Sequence, residues 1–499
     1  MLSVGALAAA LTPIKHFVVL LMENRAFDHM FGCAEHLLPG IDGLKPDSGN
    51  WIDPNDHSKG FQKVQCGAAQ YVCKHGAGQS FMKTAHDIFG PDIDPSHGPY
   101  PNATMEWFVN YSGSVTIENF APEQLPVKMA LAREFAVFNK LYAAIPGPSQ
   151  PNHMFAQSAT SCGVTQSGVA YTKCGGHFPL FGQRTIYDAL KEAGHDFNIF
   201  YNSTITEGGV PGDIYMSGIL KYVPFHSRTF TDKDGFLKKA KEGKLPKFSW
   251  ILPNHAGKHP NDDHPCHDVA RGEEFLKTVY EALRSGKGWN ETALLVVYDD
   301  PGGFYDHMPP PNYAPKPGAS CEVSTGCPDK FAFDRLGVRL TNILISPLIP
   351  KGTVIQDPDG PVGSARRPYA DSKYELSSIP ATVKNLFGLP KFLTHRDAWA
   401  GSFHDVFSLK EPRTDTPEHL PDAPPFSDEP RAVHGCGSPT QVTRRQKRHL
   451  DFLSNMLNRD SPDVEQLMKQ EADVLVGSMV TDLFEGIKNG SWHPVLDEL

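Results

Sequence analysis

Two pairs of oxygen-bearing side chains stand at the ends of apolar runs in this 499-residue chain. Glu23-Asn24 follows Phe17 to Met22, and Asp299-Asp300 follows Ala293 to Tyr298. If the two ends meet, three carboxylates and an amide converge; the like charges repel one another, and a cation is the natural way to hold them. Oxygen donors suit a hard ion, Ca²⁺, Mg²⁺ or Mn²⁺, better than Zn²⁺. Ser149 lies in the Gly/Pro loop of IPGPSQPNHMFAQSATS, just ahead of an expected helix start. A helix N-terminus favours a phosphate, and a metal that lowers a hydroxyl pKa makes serine a nucleophile. His264 lies in NDDHPCHD, Asn261 to Asp268, with His267 beside it and His255 and His259 close by. His307 ends GGFYDH, directly after the diacid. Either imidazole could donate to phosphate oxygens or protonate a leaving alkoxide. Taken singly, these residues read as charged turns, a capping serine and surface histidines. Their placement after two similar apolar strands joins them into one candidate site.

The elements that must position them follow from the apolar pattern. Phe17 to Met22 and Ala293 to Tyr298 are unbroken apolar runs, as in strands buried on both faces of a parallel sheet. Asp196 to Tyr201, Phe248 to Leu252 and Asn342 to Ser346 read as further strands. Leu125 to Lys140 reads as a helix passing into a strand near Phe135 to Phe138. Helices are expected at Asn152 to Ala159, starting after Pro151, at Thr185 to Ala193, and at Ile379 to Phe387, stopping at Gly388. Pro265 to Arg284 carries Val269, Gly272, Leu276, Val279 and Leu283 on one face, with Pro near its first turn. Strands alternating with helices predict an α/β fold with a mostly parallel sheet. Ligands in such folds bind at the carboxyl edge of the sheet, where both acidic pairs would lie.

The expected organisation is a catalytic domain over 1–409, interrupted by an irregular insertion at 33–125, and a C-terminal region over 410–499. The insertion reads equally as a wall of a substrate pocket or as a glycosylated surface excursion. Residues 410–430 are rich in Pro, Asp and Glu and read as a linker or extended tether. Two amphipathic helices follow, Thr440 to Asn458 and Pro462 to Lys488, with Leu450, Leu453, Leu457, Leu467, Val474 and Met479 as apolar positions. Packing on the main domain is the default for such stripes. Pairing with each other and peripheral membrane contact are the alternatives.

A net charge of −10 without a basic stripe argues against nucleic acid as a partner. No run reaches the roughly 20 apolar residues that span a bilayer. MLSVGALAAA resembles the apolar part of a signal peptide but lacks a basic start. Asn102, Asn110, Asn202, Asn290 and Asn489 head glycosylation triplets, which fit a secretory or endomembrane route. The final LDEL is near an ER-retention tetrapeptide. Among nine cysteines, Cys66/Cys73, Cys162/Cys174 and Cys321/Cys327 are expected as local disulfides.

Five blocks together resemble the phosphoesterase family of plant-type non-specific phospholipases C and bacterial acid phosphatases and phospholipases C. They are MENRAFDHMFG, PSQPNHMFAQSATS, NDDHPCHDVARGEEFLKTVYEAL, VVYDDPGGFYDH and SSIPATVKNLFGLPKFLTHRDAWAGSF, spread over Ile14 to Phe403. The resemblance implies an alkaline-phosphatase-like α/β core. It implies Glu23, Asn24, Asp299 and Asp300 as metal ligands, Ser149 as nucleophile, and His264 and His307 near the phosphate. It implies a metal-dependent phospholipase C acting on glycerophospholipids. The alternatives are an acid phosphatase on phosphomonoesters and a non-catalytic lipid-binding relative. The chain departs from the family pattern at Ala26, where Ser is usual, at Pro301, where a plant-type member carries His, and at Leu376, where His is frequent. The last two positions bear on the leaving-group acid and on head-group preference.

Overall fold

The computed structural model describes residues 13–73, 76–91, 96–167, 180–202, 213–255, 259–318, 331–426, 441–442 and 444–492. The N-terminal apolar segment, Cys174, Cys321, Cys327 and the final tetrapeptide lie outside the described residues.

One eight-stranded sheet organises the molecule. Its strands in chain order are β1 (His16–Met22), β2 (Ala136–Phe138), β3 (Phe197–Tyr201), β4 (Ser227–Thr229), β5 (Phe248–Leu252), β6 (Thr292–Tyr298), β7 (Asn342–Ile345) and β8 (Thr353–Ile355). Across the sheet they run β8-β2-β7-β6-β1-β5-β3-β4. Five neighbours, β6-β1-β5-β3-β4, are parallel. β7 is antiparallel to both β6 and β2. A strand buried on both faces reads alike in either direction, so the apolar run Asn342 to Ser346 carried no sign of its reversal.

The two central strands are buried on both faces because alternate residues feed two cores. Phe17, Val19 and Leu21 join Ala293, Leu295 and Val297 on one side. Val18, Leu20 and Met22 join Leu294, Val296 and Tyr298 on the other. Side chains alternate at a period of two, so an unbroken apolar run is what a sheet covered on both faces requires.

The helices that matter here are α1 (Pro126–Glu134), α2 (Ser149–Ser158), α3 (Ile186–Glu192), α4 (Val269–Arg284), α5 (Ser378–Phe387), α6 (Arg444–Leu457) and α7 (Lys469–Asn489). α4 begins four residues later than its apolar pattern suggests. Asp268 caps it, its carboxylate accepting from Ala270 N at 3.0 Å, which leaves Pro265 outside the first turn. α5 ends at Gly388 with φ 65°, as expected. α2 starts at Ser149 rather than after Pro151. Proline is tolerated in a first turn because its missing N–H would be unsatisfied there anyway.

α1 and α4 are clamped by a buried charge network. Glu273 accepts from Val127 N at 2.7 Å and Lys128 N at 3.2 Å, at the positive end of α1. It also pairs with Lys128 Nζ at 2.9 Å, and Lys128 pairs with Asp263 at 3.0 Å.

Residues 410–426 hold no helix or strand and run against α4. The Tyr280 hydroxyl donates to Pro417 O at 2.6 Å, and Arg284 donates to Thr416 O. α6 and α7 then pack on each other, and Leu450, Leu453, Val476 and Leu483 join the core that holds Tyr187 and Val223. Val474, expected among the apolar positions, is 59% exposed. Ala472, Val476, Val480 and Leu483 form the buried stripe instead.

The cysteine expectation needs correction. Cys66 bonds Cys33, not Cys73, and Cys73 is a buried free thiol. Chain folding brings residues 33 apart together while leaving a nearer cysteine apart. Cys162 and Cys266 are also disulfide-bonded. No helix among the described residues is long and apolar enough to cross a membrane.

Replacing Glu273 by Ala leaves Lys128 short of one partner and two backbone donors bare, in the core. The expected loss of stability is about 3–5 kcal/mol, as for other broken buried pairs. Thermal or urea unfolding of the variant against wild type measures it.

Candidate active site

Parallel pairing places the two acidic pairs side by side. Met22 is opposite Tyr298 in the β1–β6 register, so Glu23-Asn24 and Asp299-Asp300 leave the sheet at one level. Asp299 N donates to Met22 O at 3.1 Å. Asn24 N returns a bond to Asp299 Oδ1 at 2.9 Å. Asn24 adopts φ 61°, a left-handed conformation that asparagine tolerates. Its Nδ2 donates to both Asp300 oxygens at 2.9 Å and to Gln79 from the insertion. Gly302 N donates to Asp300 Oδ1 at 2.7 Å. Gly302 has φ 67°, and a Cβ there would stand 2.2 Å from Asn24 O. Only glycine fits this contact.

Ser149, the first residue of α2, points into this cradle. Its hydroxyl lies 3.0 Å from Asp300 Oδ2, 3.2 Å from Glu23 Oε2 and 3.4 Å from Asn24 Oδ1. The Asn152 amide fixes the approach by donating to Gly147 O and Pro148 O at 3.0 and 3.2 Å. Four of the residues expected from sequence, Glu23, Asn24, Asp300 and Ser149, thus meet directly, and Asp299 adjoins them.

His153 joins them too, one turn below Ser149 on the same helix face. Its Nε2 lies 3.2 Å from Glu23 Oε1 and 3.3 Å from Asp299 Oδ2, and its Nδ1 lies 3.2 Å from Asp213. The PSQPNH motif held a signal for it, since positions i and i+4 share a helix face. Asp213 and Gln79 had none, because only the fold brings them in.

The electrostatics of the site follow from burial. Glu23, Asn24, Asp299 and Asp300 are at most 2% exposed. Burial and the charge on Asp299 push Asp300 well above the usual aspartate value. Burial and Glu23 raise Asp299. Burial works against a charged His153, but Asp213, Asp299 and Glu23 together hold it well above its ordinary value. One imidazolium then faces four carboxylates, which leaves the site short of positive charge. His153 Nε2 and Asp299 Oδ2 are buried and make no well-aligned hydrogen bond within the protein. Glu23, His153 and Asp299 present ligand atoms within 4.8 Å of one another. These residues fit a divalent cation, with Asn24 and Asp300 beside them.

β5 supplies the third strand end. His255 Nδ1 lies 3.5 Å from Glu23 Oε1 and 2.8 Å from Asp262 Oδ2. Asp262 O accepts from Glu23 N at 2.8 Å, which hangs the NDDHPCHD loop on the end of β1. Asp262 also pairs with His267 Nδ1 at 2.5 Å. His264 turns its Nδ1 to Pro265 O at 2.8 Å. Burial and the neighbouring His267 lower its pKa, which leaves it neutral at pH 7.

His307 belongs to a second cluster. Its Nδ1 lies 2.6 Å from Asp28 Oδ2. Arg339 is buried against Asp28 at 2.9 Å and Asp306 at 3.0 Å. Burial opposes protonation of His307, but the Asp28 contact raises its pKa to about 9. Asp28, Asp306 and His307 also present ligand atoms close together, and Arg339 already neutralises this group. Among the described residues, no hydrogen bond or ion pair joins His307 to Ser149. Pro301 and Leu376 are both buried, Leu376 within the main core.

A serine hydroxyl inside an acidic cradle, at the carboxyl edge of a largely parallel sheet, makes this an α/β protein with a candidate nucleophile set beside a candidate cation site. The chain belongs to the phosphoesterase family, whose model matches residues 14–390. Non-specific phospholipase C6 of Arabidopsis thaliana is 41% identical over 427 residues, covering 83% of this chain and 76% of that protein. Non-specific phospholipase C3 of the same plant is 35% identical over 494 residues, covering 95% of this chain and 84% of that protein. Among solved structures, a protein of the alkaline phosphatase superfamily from Vibrio parahaemolyticus is 12% identical, with TM-score 0.31 over 75% of this chain and 67% of that one.

The raised pKa of Asp300 gives a signed prediction. Ionising Asp300 in the folded, metal-stripped chain costs free energy that the unfolded chain does not incur. The penalty is absent below the ordinary value of 3.8 and grows as pH rises through the higher folded value. Stripped Asp300→Asn is therefore expected to melt above stripped wild type at neutral pH, the gap closing toward pH of about 4. Added Mn²⁺ is expected to raise the wild-type melting temperature and to leave the variant nearly unmoved. Calorimetry with and without chelator reads both effects.

Proposed function

We propose that this chain is a metal-dependent phospholipase C that releases diacylglycerol and a phosphorylated head group from glycerophospholipids. The observation that carries this reading is the Ser149 hydroxyl, held by Glu23, Asn24 and Asp300 at 3.0–3.4 Å. The family and its phospholipase C relatives set the reaction class. Glu23, Asn24, Asp299 and Asp300 would hold the ion, with His153 as a nitrogen donor. That nitrogen brings Zn²⁺ alongside Mn²⁺, where oxygen donors alone favour Ca²⁺, Mg²⁺ or Mn²⁺. Bound there, a divalent cation supplies positive charge against the phosphoryl oxygens and eases ionisation of the serine hydroxyl.

The chain's own groups do the rest. Asp300 Oδ2 accepts the Ser149 hydroxyl hydrogen and aligns the oxygen for attack on phosphorus. In-line displacement forms a phosphoserine and expels the diacylglycerol alkoxide. Water then hydrolyses the phosphoserine. His264 and His307 are the two candidates to protonate the leaving oxygen. His307, with its pKa near 9, holds a proton at neutral pH, whereas burial keeps His264 neutral. This favours His307 as the acid.

The apolar approach that a lipid needs is best supplied by the 33–125 insertion. Its Gln79 touches Asn24, and Met82 and Tyr111 on the same insertion are 57% and 47% exposed. Lys83 Nζ lies 4.6 Å over the Tyr111 ring, a cation beside apolar surface suited to a bilayer interface. The Cys33–Cys66 disulfide supports a secretory or endomembrane setting.

Ser149→Ala is expected to lose at least about 10³-fold in turnover, as for other nucleophile deletions. Head-group release from phosphatidylcholine vesicles, with and without chelator, is the assay. Faster turnover of a small aryl phosphate than of vesicles would favour a phosphatase instead. Vesicle binding without turnover under any divalent ion would make the chain a lipid-binding relative.

His307→Gln separates the acid from the rest of the site. An alkoxide leaves poorly without a proton, whereas an aryl oxide leaves well. The variant is expected to lose about 10²-fold on phosphatidylcholine and much less on aryl phosphate. Equal losses on both substrates would remove His307 from this role.

A further inference from the structure

Behind the candidate site, on the residue that follows Asn24, lies a buried cation without an anion. Arg25 is fully buried, and no carboxylate among the described residues forms an ion pair with it. Its Nε donates to Asp263 O at 2.8 Å. Its Nη1 donates to His29 Nε2 at 3.0 Å and to Cys73 Sγ at 3.4 Å. Its Nη2 is buried with no hydrogen bond among the described residues. The guanidinium lies 4.8 Å over the Phe304 ring, and His29 stacks on that ring at 3.7 Å. A buried charge normally has a partner of opposite sign. Against this guanidinium lies the free thiol of Cys73, 5% exposed.

His29 adds a second unused donor. Arginine only donates, so His29 Nε2 accepts, and the ring proton sits on Nδ1. That Nδ1 is buried and also makes no hydrogen bond among the described residues. His29, Cys73 and Phe304 line a cavity of about 10 Å³, room for one water-sized group. Gln70 and Glu118 complete its wall, and Gln70 is exposed and Glu118 half-buried, which gives a small solute a way in. A sulfur beside a guanidinium, a spare imidazole donor on the cavity wall and space for one oxygen atom form a built site, not a lone cysteine.

We propose that Cys73 is a peroxide-reactive thiol, and that Arg25 and His29 receive the oxygen it gains. The thiol releases its proton to solvent, and the thiolate sulfur attacks one oxygen of hydrogen peroxide. The O–O bond breaks, and the departing hydroxide takes up a proton and leaves as water. Sulfur is oxidised by two electrons to the sulfenic state, and peroxide is reduced by two. The new S–O group occupies the cavity and accepts from the guanidinium and from His29 Nδ1. Arg25 adjoins Asn24, and Phe304 adjoins the Gly302-Gly303 turn. Repositioning either residue therefore moves the cradle around Ser149. Oxidation of Cys73 lowers turnover by this route.

The test treats the full-length, disulfide-intact protein with hydrogen peroxide, removes excess peroxide with catalase, unfolds the protein in the presence of dimedone so that the buried sulfur becomes accessible, and maps the product by mass spectrometry. The expected result is a dimedone adduct on Cys73. In parallel, without dimedone, peroxide is expected to cut aryl phosphate turnover by about tenfold or more, the scale of loss from displaced catalytic groups. Cys73→Ser is expected to keep its turnover under the same treatment, and Cys73→Ala serves if the serine variant folds poorly. Absence of an adduct on Cys73 overturns the proposal. Equal inactivation of wild type and variant, or an adduct with unchanged turnover, overturns the link to the site. The adduct is read by mass alone, so its outcome is separate from that of the phosphoesterase reading.

Discussion

Crowding of like charge is the constraint on which this structure turns. Glu23 and Asp300 lie within 3.2 Å of one serine hydroxyl, Asp299 adjoins them, and none of the three is appreciably exposed. Removing such groups from water is costly, and placing them side by side adds repulsion. Both effects appear as raised pKa values at Asp299 and Asp300. The imidazolium of His153 relieves part of the imbalance and a bound cation can relieve the remainder. The site is therefore a store of unfavourable electrostatics that a divalent ion would convert into affinity.

A store of that kind needs a rigid frame. Three parallel strands, β6, β1 and β5, end together, so their following residues are held by sheet geometry and not by loops alone. Asn24 locks the corner by accepting a left-handed backbone and bonding both Asp299 and Asp300. Gly302 lets the next turn pass close to Asn24 O. Farther out, Lys128 and Glu273 tie α1 to α4 and reach Asp263, whose backbone oxygen holds Arg25. A continuous polar framework thus runs from the helix layer to the cradle.

The histidines divide by environment more than by sequence. His153 and His255 face Glu23. His307 is bound into an arginine–aspartate cluster that keeps it protonated. His264 is desolvated and neutral. Similar side chains near one sheet edge therefore hold different protonation states, which is the separation of roles that acid and base chemistry needs.

The strands, most helices and the acidic pairs were legible in the chain because burial on both faces and helical periodicity leave local marks. Phe17 to Met22 and Ala293 to Tyr298 appeared as strands, and Glu23, Asn24, Asp299, Asp300 and Ser149 as a candidate group. Helix starts were less well marked, since Ser149 and Asp268 set them through cap geometry. Strand direction left no mark at all, so the reversal of β7 belongs to the tertiary structure. Disulfide choice, Cys33 over Cys73 for Cys66, depends on distances that sequence spacing does not encode. The same holds for Asp213 and Gln79, which reach the site from distant loops. By itself, then, the sequence determined which residues are buried in strands and which oxygen-rich pairs end them. Only the tertiary structure decided that these pairs converge on one serine, and that His153 and not a nearer loop histidine shares Glu23 and Asp299. Convergence is a property of strand order and register, and no local pattern carries it.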